Sequence, residues 1–274
     1  MKKVLIFSDL DGTALNEKHE FSQKLIETVD KIYSLNSYFV PITARSTKDA
    51  LIQAKKLKLD KLGGLIAANN GAQIFDFKQN RFIVDKRLSS DFIRNIFNFT
   101  YGNFKYKVHY FADDTTYVYG KGDNSSFWSK IMDVEYKIVQ SLNEIVKPIS
   151  HLTIILEKQA TDEQADKFYN GFKKYYPDVE IIKYTTRVFE VAPKGINKGF
   201  AVTEIINYLQ VKNYVSYAFG DSHNDFDLFA KVDISIAMEN AMPQLIEISA
   251  ETTDRNDQDG VAKFINKKIL IDYI

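Results

Sequence analysis

The chain opens on a continuous apolar run, Val4-Leu5-Ile6-Phe7, that stops at Asp9-Leu10-Asp11-Gly12-Thr13. A run that is apolar at every position fits a strand covered on both faces. After Ser22, the residues Leu25, Val29, Ile32 and Tyr33 recur at helical spacing, and residues 38–43 read as a second strand, interrupted by Pro41. Ser46 with Asp49 three residues later marks a helix start before Leu51, Ala54 and Leu57, and residues 64–68 supply a third strand. Strand, helix, strand, helix, strand predicts a parallel sheet with helices on both faces.

The pattern then changes. Residues 73–77 with 81–85, and 107–112 with 115–120, read as two hairpins, the second turning at Asp113-Asp114. Helical spacing covers residues 90–100, 126–139 and 162–176, and strands are expected at 152–156, 179–184 and 187–191. Past Ala192-Pro193-Lys194-Gly195 the alternation returns: helix 197–209, strand 214–219, helix 225–230, strand 234–237 and a terminal helix at 261–270. The expected architecture is α/β, a parallel-sheet core of residues 1–84 and 188–274 carrying an inserted mixed α/β domain at 85–187.

Composition adds exclusions. Lys+Arg and Asp+Glu number 36 each, so no bulk positive field is available to gather nucleic acid. With no cysteine there is no disulfide, thiol nucleophile or zinc-thiolate site, which fits a reducing, cytoplasmic setting. Asp9 and Asp11 interrupt the first apolar run too early for a signal peptide or membrane span. No motif specifies an oligomeric state. The 20 Phe and 16 Tyr are read as packing, with Tyr117, Tyr119, Trp128, His109 and His151 given structural roles ahead of catalytic ones.

Two acidic clusters carry the candidate chemistry. Asp9 and Asp11 lie beyond the carboxyl end of the first strand, where open α/β sheets place ligands; Gly12 permits a sharp turn with backbone amides close to an anion. Gly220-Asp221-Ser222-His223-Asn224-Asp225 follows another apolar strand. Each cluster alone also reads as an ordinary turn or helix cap. Together, Asp9 and Asp221 offer the oxygen ligands that magnesium prefers, completed by water and a substrate phosphate. Lys198 at a helix start, Thr43 at a strand end and Arg45 just after it are groups suited to an anion, and each is equally at home as a surface residue.

Taken in order, Asp9-Leu10-Asp11-Gly12-Thr13, Thr43, Lys198 and the 220–225 cluster resemble the four signatures of the haloacid dehalogenase-like hydrolase superfamily. Asn69-Asn70-Gly71-Ala72, Ala237-Met238-Glu239-Asn240-Ala241 and residues 256–262 resemble its Cof-type sugar-phosphatase branch. Ala44 and Glu239 stand where that pattern usually has glycine. The resemblance implies a Rossmann-like core, with the insertion as a cap that sets substrate specificity. It further implies a magnesium-dependent phosphatase acting on small phosphorylated metabolites, sugar phosphates or their relatives, through an aspartyl-phosphate. Asp9 would attack phosphorus and Asp11 would serve as acid and base. Thr43 and Lys198 would hold the phosphoryl oxygens, with Gly12, Asn224 and Arg45 also facing the substrate. Asp9, the backbone carbonyl of Asp11, and Asp221 would ligate Mg2+, with Asp225 supporting them from behind. The alternatives are a phosphomutase of the same superfamily, a non-catalytic phosphometabolite-binding protein, and a phosphorylatable receiver domain, the last disfavoured by the insertion and by Asp11.

Overall fold

The computed structural model describes residues 2–119, 135–183 and 185–273. Its first sheet contains β1 (Lys3–Ser8), β2 (Tyr38–Pro41), β12 (Tyr214–Gly220), β13 (Ile234–Met238) and β14 (Glu251–Thr253), in the order β14-β13-β12-β1-β2, all parallel. Val4 to Phe7 are buried, as required of a central strand with helices on both faces. Pro41 is the last residue of β2, and pairing toward the next strand begins only after it, at Ile42. β3 (Leu65–Ala68) continues the parallel order through the Ile42–Ala67 bridge, then pairs antiparallel with β4 (Gln73–Asp76), beside β5 (Arg81–Asp85).

The helices of this part start where the sequence supplies caps. Ser22 accepts from Leu25 N at 3.1 Å to open α1 (Gln23–Ser34), and α2 (Thr47–Lys56) and α3 (Leu59–Leu62) follow. Asn197 accepts from Phe200 N at 2.8 Å to open α6 (Lys198–Leu209). α7 (Phe226–Phe229), α8 (Pro243–Ile248) and α9 (Gly260–Phe264) come later, α9 running on as a π-helical turn, Ile265–Ile269.

A second body carries α4 (Ser90–Thr100), α5 (Asp162–Tyr175) and a six-stranded mixed sheet. Its strands are β6 (Tyr106–Phe111), β7 (Thr115–Tyr119), β8 (Glu135–Ile138), β9 (His151–Leu156), β10 (Val179–Lys183) and β11 (Val188–Pro193), in the order β10-β11-β9-β6-β7-β8. Among these described strands the β7–β8 pair is parallel and the other pairs are antiparallel. Phe92, Ile96 and Phe97 of α4 and Phe172 of α5 bury one face of it with Val108, Tyr110, Leu152, Ile154 and Phe189. The protein is thus an α/β fold with a parallel core sheet and an inserted mixed α/β cap.

Contacts group residues 1–44, 50–84 and 197–274 as one compact unit, and 45–49 with 85–196 as the other. The sequence-based return to the core at residue 188 therefore comes too early: β11 pairs with β9 and β10, so it is a cap strand. The helix expected over 126–139 is also corrected where it is described. Residues 135–138 form β8, paired with β7 from Thr115–Glu135 to Val118–Ile138, a pairing that overrides local helical spacing. The rest of that stretch, with Trp128, lies outside the described residues. Among the described residues no helix is long and apolar enough to cross a membrane.

Candidate active site

Parallel pairing brings the two acidic clusters together. Ser8 lies opposite Phe219 in the β1–β12 ladder, and Asp9 N donates to Phe219 O at 3.0 Å. Asp9 and Asp221 therefore leave neighbouring strands at the same carboxyl edge, although 212 positions apart in sequence. Gly12 makes this approach possible. Its φ is +77°, and a Cβ there would lie 2.5 Å from Asp221 Oδ2.

Lys198 is the hub. Fully buried at the start of α6, it donates to Asp9 Oδ1 at 2.5 Å and to Asp225 Oδ1 at 2.7 Å. The second Asp225 oxygen accepts from Asp221 N at 2.9 Å and Ser222 N at 3.0 Å, tying the 221–225 loop into a closed turn. Asp221 Oδ1 accepts from Thr13 Oγ1 at 2.7 Å. The Asp225 carboxylate packs where a Gly220 side chain would stand, with its Cγ 2.6 Å from that position.

The electrostatics are those of a site short of positive charge. Burial pushes the Asp9 carboxyl well above its ordinary range; Lys198 opposes the shift, while Asp225 and Asp221 add to it. Asp221 is pushed up to about 6, chiefly by burial, with the Thr13 bond pulling down and Asp225 pushing further up. Burial also works against the Lys198 charge, but Asp225 and Asp9 outweigh it and hold the ammonium above its ordinary value. Three carboxylates thus face one ammonium.

Oxygens of Asp9, Asp221 and Asp225 lie within 4.8 Å of one another. Asp225 is already engaged through both oxygens, so Asp9 and Asp221 are the better placed to hold a cation. The donor set is oxygen without imidazole or thiolate, which fits a hard divalent ion and would cancel the two uncompensated charges.

The other expected residues are placed as follows. Thr43 is buried just beyond β2, its N donating to Ala67 O at 3.0 Å. Asn224 donates from Nδ2 to Asn70 Oδ1 at 3.0 Å and accepts at Oδ1 from Ser222 Oγ at 2.8 Å. Asp11 is half-exposed, with Oδ1 3.1 Å from His19 Nδ1. Arg45 lies in a buried ion pair with Asp49 at 2.7 Å.

Several residues to which sequence reasoning assigned no role complete the arrangement. His19 meets Asp11, and Asn70 meets Asn224. Asn240 Nδ2 donates to Gly12 O at 2.8 Å, and Asn256 Nδ2 donates to Leu15 O at 2.9 Å, stitching the 9–15 loop to the loops after β13 and β14. Asn70, Asn240 and Asn256 all belong to motifs visible in the sequence, whereas nothing there marked His19.

Comparison with known proteins agrees with this geometry. A phosphoglycolate phosphatase of Sulfurisphaera tokodaii is 28% identical, the match covering 96% of this chain and 93% of that one. A 5-amino-6-(5-phospho-D-ribitylamino)uracil phosphatase of Bacillus subtilis is 26% identical, over 94% and 96% of the two chains. The crystal structure of a haloacid dehalogenase-like hydrolase from Bacteroides thetaiotaomicron shares the fold with a TM-score of 0.84, covering 97% of this chain and 99% of that one at 19% identity. The family's sequence pattern runs from residue 6 to residue 265, through both strand-end clusters and the cap between them. On that match, and on a fold that brings its separated parts to one sheet edge, the chain belongs to the haloacid dehalogenase-like hydrolases.

Proposed function

We propose that this hydrolase is a magnesium-dependent phosphatase of the Cof-type branch, acting on small phosphomonoesters such as sugar phosphates through an aspartyl-phosphate on Asp9. The observation that carries the reading is the Asp9 carboxylate, held through Oδ1 by a buried ammonium and set beside Asp221 in a cluster short of positive charge. Asp9 and Asp221, with the Asp11 backbone carbonyl, would hold Mg2+, which when bound supplies positive charge to the phosphoryl oxygens.

The Asp9 carboxylate attacks phosphorus and the P–O bond to the alcohol breaks. Asp11, on a half-exposed loop, protonates the departing alkoxide. Asp11 then takes a proton from water as that water attacks the phosphorus, releasing phosphate and restoring Asp9. Lys198, the Thr43 hydroxyl, the Gly12 backbone amide and the Asn224 amide stabilise the phosphoryl oxygens. Arg45, paired with Asp49, is assigned to the substrate as a further anion-binding group. Leaving-group choice is assigned to the inserted cap, because every residue given a part in the chemistry lies outside residues 85–187. The absence of cysteine supports a cytoplasmic setting.

The test is phosphate release by the purified protein from p-nitrophenyl phosphate and a panel of sugar phosphates, nucleotides, flavin mononucleotide and pyridoxal phosphate. Turnover should require magnesium and fall by at least ~10³-fold in a folded Asp9→Asn variant. Full activity after exhaustive chelation, or in that variant, would refute the reading. Phosphoryl groups moved within the substrate instead of released would identify a mutase, and metabolite binding without turnover a sensor.

A further inference from the structure

The most unusual backbone in the core lies beside this site and has no part in the chemistry above. Asn69, Asn70 and Gly71 follow β3 with φ of +49°, +54° and +102°. L-residues visit the left-handed region singly, at a cost of roughly 1–2 kcal/mol each, so two successive asparagines there must be held by their surroundings. Here Ala72 N donates to Asn69 O at 3.1 Å and Asn69 Nδ2 donates to Gln73 Oε1 at 2.6 Å, and both asparagines are buried.

The turn touches three separate parts of the site. Asn70 N donates to Thr43 O at 2.8 Å, fixing the segment after β2. A Gly71 side chain would lie 2.8 Å from Ala201 Cβ and 3.0 Å from Asn197 O, so this glycine lets the turn press on the start of α6, which carries Lys198. Asn70 Oδ1 accepts from Asn224 Nδ2.

The last bond has a chemical consequence. A primary amide can be turned by half a revolution with little change in shape, exchanging donor for acceptor. Asn224 is held at both ends, by the Ser222 hydroxyl on Oδ1 and by the Asn70 oxygen on Nδ2. An acceptor at Asn70 favours the orientation that keeps nitrogen on that side, and the second N–H of Nδ2 is then left to donate. The reverse orientation would turn a carbonyl oxygen toward an anion and repel it.

We propose that Asn70 is a positioning residue for phosphate binding: through its side-chain oxygen it sets the Asn224 amide so that an N–H faces a phosphate oxygen. This rests on the phosphatase reading, in which Asn224 contacts phosphate.

Asn70→Gly removes the acceptor while suiting the left-handed backbone. With magnesium present, the KM for p-nitrophenyl phosphate and the calorimetric Kd for inorganic phosphate should rise together by roughly tenfold, the worth of one hydrogen bond to a charged group. The kcat/KM should fall by at least the same factor, because the Asn224 amide serves the transferring phosphoryl group as well as bound phosphate. Asn224→Ala should do the same, and the double variant should be no weaker than either single one, because the two side chains act as a unit.

Effects that multiply in the double variant overturn the assignment. So does an Asn70→Gly protein that melts earlier but binds phosphate like the parent. Should Asn70→Gly not fold, Asn224→Ala decides: unchanged phosphate affinity there overturns the assignment. If the parent protein neither binds phosphate nor hydrolyses the ester, the phosphatase reading falls and takes this with it; if it does both, failure belongs to Asn70 alone.

Discussion

Replacing Lys198 by methionine keeps a long side chain in the core but removes the ammonium that two carboxylates share. In the parent, Asp9 and Asp225 each accept a charge-assisted bond from it, at 2.5 and 2.7 Å, and all three residues are buried. Removing one partner from a buried ion pair costs about 3–5 kcal/mol, because the remaining charge is left unpaired in a poorly solvating place. At about 2–4 °C per kcal/mol for a domain of this size, the metal-free variant should melt roughly 10 °C or more below the parent. Saturating magnesium should recover part of this loss, and more in the variant than in the parent, because the variant's site carries one more uncompensated negative charge. A second change, Asp225→Asn, should also recover stability by removing one stranded charge. Turnover should fall by at least ~10³-fold, since Asp9 loses the group that favours its ionised form. Differential scanning calorimetry with and without magnesium, on both variants, measures these effects. A metal-free Lys198→Met protein with the parent's melting temperature would refute the charge imbalance on which the cation assignment stands.

Two further predictions test other parts of the molecule. Gly12→Ala places a Cβ 2.5 Å from Asp221 Oδ2 on a backbone of φ +77°, so the magnesium concentration needed for half-maximal turnover should rise by about tenfold or more; an unchanged magnesium titration would count against Asp221 as a ligand. In the cap, burial lowers His109 to about 4, with Lys107 adding to the shift, and burial lowers His151 to about 3. Because the unfolded chain then binds more protons than the folded one between those values and about 6.5, stability is full above that range and lost as pH falls through it. At pH 5 the two histidines together should reduce stability by several kcal/mol, measured by urea unfolding at pH 7 and 5. His151 stacks on Phe111 at 4.4 Å, so His151→Phe should keep the contact and flatten the pH dependence; an equally steep loss in that variant would refute the assignment to His151.

The sequence by itself determined the strands that need no partner to be recognised. Val4 to Phe7 is apolar at every position because the strand is covered on both faces, and Ser22 and Asn197 announce helix starts because their side chains can close the first turn. The acidic clusters were legible for the same reason: both follow such strands, and α/β sheets place ligands at those ends. Tertiary structure alone decided where pairing overrides local pattern. Residues 135–138 join β7 despite helical spacing, and β11 belongs to the cap because its hydrogen-bond partners are β9 and β10. The same holds within the site. Nothing local in Lys198 says that it lies fully buried between Asp9 and Asp225, nor in His19 that it meets Asp11. Asn69-Asn70-Gly71 stood out as a motif, but its hold on Asn224 is a contact across 154 positions of chain. Local sequence records propensity and burial pattern; which distant polar groups satisfy one another is settled only when the strands pair, because an unpaired buried polar group costs more than a local preference can supply.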